Sequence, residues 1–286
     1  MFTPLSGLLS QPKYLPLKYC PLTIELELIS SNTEPFVALG GVFTEANTST
    51  AWSLSNFQIK CDLLNLDNEL ENGYTQLLMS GKSLPINFST YVAQYQSILA
   101  GTNLGGVAVG QEKVRLNVAR SLSRLKSIFI TFYAPLRTTN DNLIYKQFNT
   151  FYSPMQTTSD AQTMGKNGEI EVQVQIGSKC LPEQPIRGHA EAFYNLKKCL
   201  GIQSSAVHSF DVNAQEYKRV KFILGFDTEK ILAAAFTGEN TRNGSLINIK
   251  FDQNGGDPTH FAQQMYIILH ADCVMEVGDT GVRVYD

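Results

Sequence analysis

Residues 244–286 read GSLINIKFDQNGGDPTHFAQQMYIILHADCVMEVGDTGVRVYD, and their patterning leaves room for three strands and no helix. In 245–251, Leu246, Ile247, Ile249 and Phe251 are set against Asn248 and Lys250, close to the period-2 alternation of a half-buried strand. Residues 265–277 form a longer and more apolar run, as expected of a strand central to a sheet and covered on both faces. A turn and a final strand follow, so the chain is expected to end on a buried strand that ties its last residues into the core. The remaining sequence must supply partners for these strands.

Upstream, the cleanest alternation is PLTIELELIS at 21–30, where Leu22, Ile24, Leu26 and Leu28 oppose Thr23, Glu25 and Glu27. Within 52–67, Phe57, Ile59 and Cys61 alternate with Asn56, Gln58 and Lys60, and Leu63–Leu64 break the period, as at a bulge. The period then changes. In 67–80, Leu70, Tyr74, Leu77 and Leu78 share a helical face, with Asp67 or Asn68 as N-cap and Gly81 as the stop. Strand patterning returns at 85–99, 127–133, 169–177 and 220–226, and a second helix is expected over 188–200 with Gly201 ending it. The four glycines of 101–110 predict a loop, and 135–168 reads as mostly irregular apart from Tyr145, Phe148, Phe151 and Tyr152. Strands dominate without alternating regularly with helices. The expected class is therefore all-β, an antiparallel sandwich with two short helices.

Composition narrows the function. Charged residues are 17% of the 286, below the roughly 25% of ordinary soluble domains. That fits a surface that faces other protein, or equally a β-rich chain with many Ser, Thr, Asn and Gln. Net charge is −3 and no basic run of five or more occurs, which argues against direct nucleic-acid binding. No apolar stretch has a membrane-spanning length, and the first twenty residues lack the basic and apolar regions of a signal peptide. The five cysteines are scattered without a C-x-x-C pair and are expected to be free thiols.

No catalytic constellation emerges. Gly81-Lys82-Ser83 follows a helix instead of opening one, and Gln76 stands where a phosphate-binding loop needs its first glycine. His189, His208, His260 and His270 include no pair at ligand spacing, and His270 beside Asp272 reads as a hydrogen-bonded core or interface residue. Glu25 and Glu27 lie about 7 Å apart on one strand face, a spacing that would suit a carboxylate pair but more simply marks a solvated or interface face. Asp252, Asp257 and Asp279 sit in Gly-rich loops without a calcium-loop pattern, and turn formation accounts for them. The expectation is no catalytic residue, no metal and no cofactor.

The order of segments resembles the double jelly-roll major capsid proteins of DNA viruses, particularly those of Polinton-like viruses, adintoviruses and virophages, and mainly their C-terminal part. The lead-in SGLLSQPKYLPLKYCPLTIELEL looks like the segment closing a first jelly roll, FQIKCDLLNLDNELENGY like the strand-then-helix entry to the second, and SLPINFSTY like its next strand. RSLSRLKSIFITFY with YKQFNTFYSP resembles a strand and aromatic loop, EVQVQIGSKCLPEQPI a strand whose polar turn carries a proline, and EAFYNLKKCLG the helix after it. FILGFDTEK, GSLINIKF and YIILHADCVMEVGDTGVRVYD resemble the closing strands. This likeness covers nearly the whole chain, and no single motif within it is specific.

The resemblance implies a jelly roll, as one elaborated roll or a truncated double one, with residues 1–30 as lead-in and strand and 31–286 as the jelly-roll domain. Too little sequence precedes Pro21 for a full first roll. It also implies a non-enzymatic structural protein of the virion, made in the host cytoplasm or nucleus. Such a chain self-associates, as a homotrimer within an icosahedral shell, and meets minor capsid or penton proteins. Loops 100–118 and 135–168 are expected to make inter-subunit contacts, with Trp52, Tyr91, Tyr95, Phe148, Phe151 and Tyr152 as candidate contact residues. Jelly rolls also serve lectins, so a carbohydrate-binding module is the alternative.

Overall fold

In β6 (Glu171–Ile176) the side chains of Val172, Val174 and Ile176 are buried and those between them half-buried, so a period-2 sequence has become a strand with one face in a core. The structure is a computed structural model describing residues 7–27, 53–97, 99–102, 108–110, 113–133, 151, 171–201, 212–219, 221–229, 238–252 and 264–286. These fall into two compact units: Met1–Ser89 with Thr138–Leu143 and Cys273–Tyr285, and Thr90–Arg137 with Ile144–Asp272 and Asp286.

The second unit holds the sandwich. One sheet runs β1 (Leu84–Ser97), β10 (Gln264–Gly278), β5 (Leu125–Tyr133), β8 (Ile223–Asp227); the other runs β4 (Lys113–Val118), β9 (Ile247–Asp252), β6, β7 (Lys179–Ile186). Strands β1 and β10 contribute residues to both units. Renumbering these eight strands in chain order gives 1-8-3-6 and 2-7-4-5. Every step along these eight strands except β6 to β7 thus switches sheets, and β5–β10, β4–β9, β5–β8, β6–β7 and β6–β9 all pair antiparallel. That is a jelly roll.

Its core is formed by the inward sets of both sheets. Ile128, Ile130 and Phe132 of β5 lie beside Met265, Ile267 and Leu269 of β10, and they pack with Val114, Val118, Val174, Ile247, Ile249 and Phe251. The Phe132 and Phe251 rings meet between the sheets at 5.4 Å. Leu246, grouped with the apolar face of its strand by sequence, precedes β9 and is 64% exposed.

Strand β7 carries Pro182 and Pro185, which a central strand would not accept because each lacks an N–H for the ladder. Among the described residues it is an edge strand, pairing with β6 alone. Its register shifts between Val172 and Val174, and there the Gln173 amide donates to the carbonyls of Pro182 and Glu183, at 2.9 and 3.0 Å.

Both expected helices form. In α2 (Asn68–Met79) the Asp67 carboxylate accepts from the Asn68 N–H, and Gly81 ends the helix at φ 77°. In α3 (His189–Cys199), Ala192 and Leu196 are buried, and the helix lies against β8 so closely that a Cβ on Gly225 would come within 3.1 Å of Leu196 Cα. Two shorter helices join them: α1 (Gly7–Ser10), and α4 (Ala214–Arg219), where the Asn213 side chain accepts from the Glu216 N–H. Six residues are too few to show a period, which is why α4 is not legible in the sequence.

The first unit has a small core of Cys20, Ile86, Met275 and Val277, with Leu8, Leu15, Tyr19, Leu84 and Phe88 against it. The Tyr19 hydroxyl bonds Thr75 at 2.7 Å, and Lys18 pairs with Glu71, tying the lead-in to α2.

Four expectations are corrected. Residues 21–27 and 53–67 form no strand, although their alternation predicts two; residues 28–52 lie outside the described set. Part of the glycine-rich stretch is paired rather than looped, as β2 (Leu99–Thr102) against β3 (Ala108–Gly110). Strand β11 (Gly281–Tyr285) is mostly exposed, because it pairs with β10 and leaves Val282, Val284 and Tyr285 uncovered. The final residue is held by ion pairs instead: the Asp286 carboxylate meets Arg120 at 3.0 Å and Arg242 at 2.7 Å. Finally, the outward face of β10 is only partly covered, Tyr266, Ile268 and His270 being half-buried while Asp272 is buried.

Candidate interaction surface

The outward positions of the first sheet within the second unit converge on aromatic and polar chemistry. Antiparallel pairing of β10 with β5 sets His270 opposite Ser127, Ile268 opposite Phe129 and Tyr266 opposite Thr131. Alternation therefore gathers Tyr266, Ile268 and His270 on one face of β10. From β1, Tyr91 stacks on His270 with centroids 4.7 Å apart and planes at 11°, and Tyr95 leans on Tyr266 at 5.2 Å and 60°. Tyr91 is 52% and Tyr95 50% exposed, so each leaves aromatic surface uncovered.

A bulge tunes this face. The β10–β5 register shifts between His270 and Ala271, so that Lys126 has no partner of its own in the ladder. The backbone there is satisfied by Thr228, whose N–H donates to Lys126 O at 2.9 Å and whose hydroxyl donates to Leu125 O at 2.6 Å. The Lys126 ammonium meets Glu229 at 3.2 Å and Asp272 at 3.6 Å. Ser127 Oγ and His270 Nδ1 are hydrogen-bonded at 3.1 Å. Burial, and then the Lys126 charge, pushes the His270 pKa below its ordinary value, against the opposing pull of Asp272. The ring is therefore neutral at pH 7.

Hydroxyl, imidazole and carboxylate on one sheet face are the ingredients of nucleophilic catalysis. Yet Ser127 is only 3% exposed, Asp272 is engaged by Lys126, and Tyr91 covers one face of the imidazole. What the face presents outward is a neutral aromatic surface.

Of the six candidate contact residues, the structure places Tyr91 and Tyr95 on one face of β1, each against a different ring of β10. Phe151 is half-buried elsewhere, its carbonyl accepting from the Phe222 N–H at 3.1 Å, while Trp52, Phe148 and Tyr152 lie outside the described residues. Tyr266, Ser127 and Lys126 were not singled out by sequence. The available signal was the alternation of Tyr266, Ile268 and His270 within a run read as buried on both sides.

The remaining candidates separate. His189 begins α3, buried edge-on to Phe222, and His208, His260 and Asp257 lie outside the described residues. Asp252 is held by Arg115 at 2.8 and 2.9 Å, which raises the Arg115 pKa, and Asp279 stands exposed in the turn before β11. Glu25 and Glu27 are exposed. Among the described residues no three of His, Cys, Asp and Glu cluster as a metal site would, and no helix is long and apolar enough to cross a membrane. Cys199 faces β8, and burial, helped by the Asp227 charge, pushes its thiol up to about 12.

No family model and no curated protein sequence matches the chain. Among solved structures, it is similar to a quasi-atomic model of the PBCV-1 virus capsid, at 12% identity and a TM-score of 0.36 over 73% of this chain and 54% of that one. It is likewise similar to PBCV-1 VP54 fitted into a reconstruction of the virophage Sputnik, at 12% identity and a TM-score of 0.36 over 77% of this chain and 54% of that one. The chain thus spans about half the length of the solved chains it matches.

Proposed function

We propose that this chain is a structural capsid protein of a DNA virus, a jelly-roll block that self-associates into homotrimeric capsomers of an icosahedral shell and performs no catalysis. The 1-8-3-6 and 2-7-4-5 strand order supplies a rigid wall, and the order of sequence segments resembles double jelly-roll capsid proteins. In this reading residues 1–30 are the end of a first roll and 31–286 the jelly-roll domain, and minor capsid or penton proteins are further partners. Fold alone does not select this function, because lectins share it. The observation that carries the reading is the uncovered apolar surface: Tyr91 and Tyr95 on the sandwich, and separately Leu22, Ile24, Leu26, Phe57, Ile59 and Leu63 in the first unit. Interfaces between stable subunits bury roughly 1,200 Å² or more, much of it aromatic and aliphatic. A charged fraction of 17% and a net charge of −3 suit protein contacts better than nucleic-acid contacts.

The test is the solution mass by light scattering across a concentration series, with electron microscopy of the largest species. A trimer or a larger shell-like assembly is expected. A strict monomer at high concentration overturns the reading.

One observation favours a second reading, a carbohydrate-binding module. Tyr91 and Tyr95 form an exposed aromatic pair on one sheet face, and ring faces of that kind stack on sugars. A glycan-array signal from a monomeric chain, lost in Y91A/Y95A, would select this reading over the capsid.

A further inference from the structure

Two stretches of the first unit have the patterning of strands and the exposure of strands without partners. In 21–27, Leu22, Ile24 and Leu26 alternate with Thr23, Glu25 and Glu27, and those three apolar side chains are 41–50% exposed. In 53–67, Leu54, Phe57, Ile59, Leu63, Leu64 and Leu66 are 43–74% exposed. Neither stretch belongs to a described strand or helix, and apart from none of these nine residues standing in a core cluster, Cys61 too is exposed. Contiguous uncovered apolar surface marks an interaction site, and extended backbone takes up a partner by adding strands.

The two stretches complement each other. The first carries Glu25 and Glu27 and no basic residue, while the second carries Lys60 between Ile59 and Cys61, with Asp62 and Asp67 beyond it, so the complementarity is specific to Lys60. An antiparallel register with Glu25 opposite Lys60 also sets Leu26 opposite Ile59, Ile24 opposite Cys61, Leu22 opposite Leu63 and Glu27 opposite Gln58. Apolar then meets apolar on one face, and an ion pair forms on the other. A slip of one residue turns every apolar side chain to the wrong face. Sliding two residues one way sets Thr23 and not Glu25 against Lys60; sliding two the other way sets Glu27 against Lys60 but also Glu25 against Asp62. The parallel alternative with Glu25 beside Lys60 brings Glu27 to Asp62. One register is therefore preferred.

Among the described residues of one chain both stretches are unpaired, and a second copy brings both complements. We propose that residues 21–27 of one copy add antiparallel to residues 58–64 of another, with Glu25 opposite Lys60 and Ile24 opposite Cys61, and that the exchange is reciprocal. Two copies then satisfy each other through a closed, self-complementary contact. This rests on the proposed self-association and names a two-fold contact within it, of the kind that joins one trimer to the next and not the contact that closes a trimer.

Directly opposed residues of an antiparallel pair have Cα atoms about 4.5–5.5 Å apart, within the range a disulfide spans. The test is Ile24→Cys against the native Cys61 under mild oxidation, read by non-reducing electrophoresis and peptide mapping, with light scattering on the unmodified chain. A covalent dimer joined between positions 24 and 61 is expected. It should be lost in I24C/C61S, lost in I24C/K60E, and recovered when E25K is added to the latter. Thr23→Cys, pointing to the opposite face, should form no such dimer. A 24–61 disulfide within a monomer overturns the proposal, because the stretches then pair in one chain. An assembled chain that forms no 24–61 crosslink overturns the exchange and leaves the capsid reading standing. A monomer without the crosslink overturns both.

Discussion

Phe251→Ala in β9 tests the sandwich at its centre. The Phe251 ring is fully buried and meets Phe132 of the opposite sheet at 5.4 Å, so truncation opens a cavity between the sheets. Phe-to-Ala changes at such sites cost about 3–5 kcal/mol, the removed transfer energy plus the unfilled volume. The sandwich unit, Thr90–Arg137 with Ile144–Asp272, has a size for which each kcal/mol shifts Tm by roughly 2–4 °C, so a fall of roughly 6–20 °C is expected. The control is Leu246→Ala, one residue before the same strand and 64% exposed, where a change within about 0.5 kcal/mol is expected. Urea unfolding followed by circular dichroism measures both. In a double-mutant cycle with Phe132→Ala, the aromatic contact should appear as a coupling of about 0.5–1.5 kcal/mol. If L246A costs as much as F251A, β9 presents the opposite face to the core and the inter-sheet packing described here is wrong.

Other expectations follow from the same geometry. Thr241 is buried, and its hydroxyl accepts from the Leu122 N–H at 2.7 Å; Thr241→Val leaves that donor unsatisfied, and urea titration should show a loss of roughly 1–3 kcal/mol. The folded-state pKa of His270 lies below 6.5, so as acid is added the unfolded chain takes up this proton first. Its contribution is complete above pH 6.5 and is lost as pH falls through 6.5 toward the folded pKa. Lys126, Asp272, Glu229 and Tyr91 face the same cluster and remain in His270→Gln, so a stability–pH curve between pH 7 and 5 should be flatter in that variant; an unchanged slope refutes the assignment. Among the thiols, exposed Cys61 should label with maleimide in the native protein, while Cys20, Cys273 and the high-pKa Cys199 label only after unfolding, as read by mass spectrometry of the modified peptides.

The sequence by itself determined the strands whose apolar residues alternate against polar ones. Val172, Val174 and Ile176, and likewise Ile247, Ile249 and Phe251, went inward as period 2 requires. It determined both longer helices too, because Gly81 and Gly201 adopt the positive φ that a helix stop favours. Partner choice is a non-local matter, and there the sequence was silent. Residues 21–27 alternate as cleanly as β6 and form no strand, because alternation states which face seeks burial and not whether a partner is present. Strand β7, with two prolines, reads poorly as a strand and becomes one at a sheet edge, where the missing N–H groups are tolerated and Gln173 spans the irregularity. The candidate surface followed the same logic. Tyr91, Tyr95 and His270 were visible as residues, but only the pairing of β1, β10 and β5 stacked Tyr91 on His270 and set Ser127 and Lys126 beside it. A strand's own residues specify its faces. Which residues of distant strands share a face is decided by register and sheet order, and only the tertiary structure contains these.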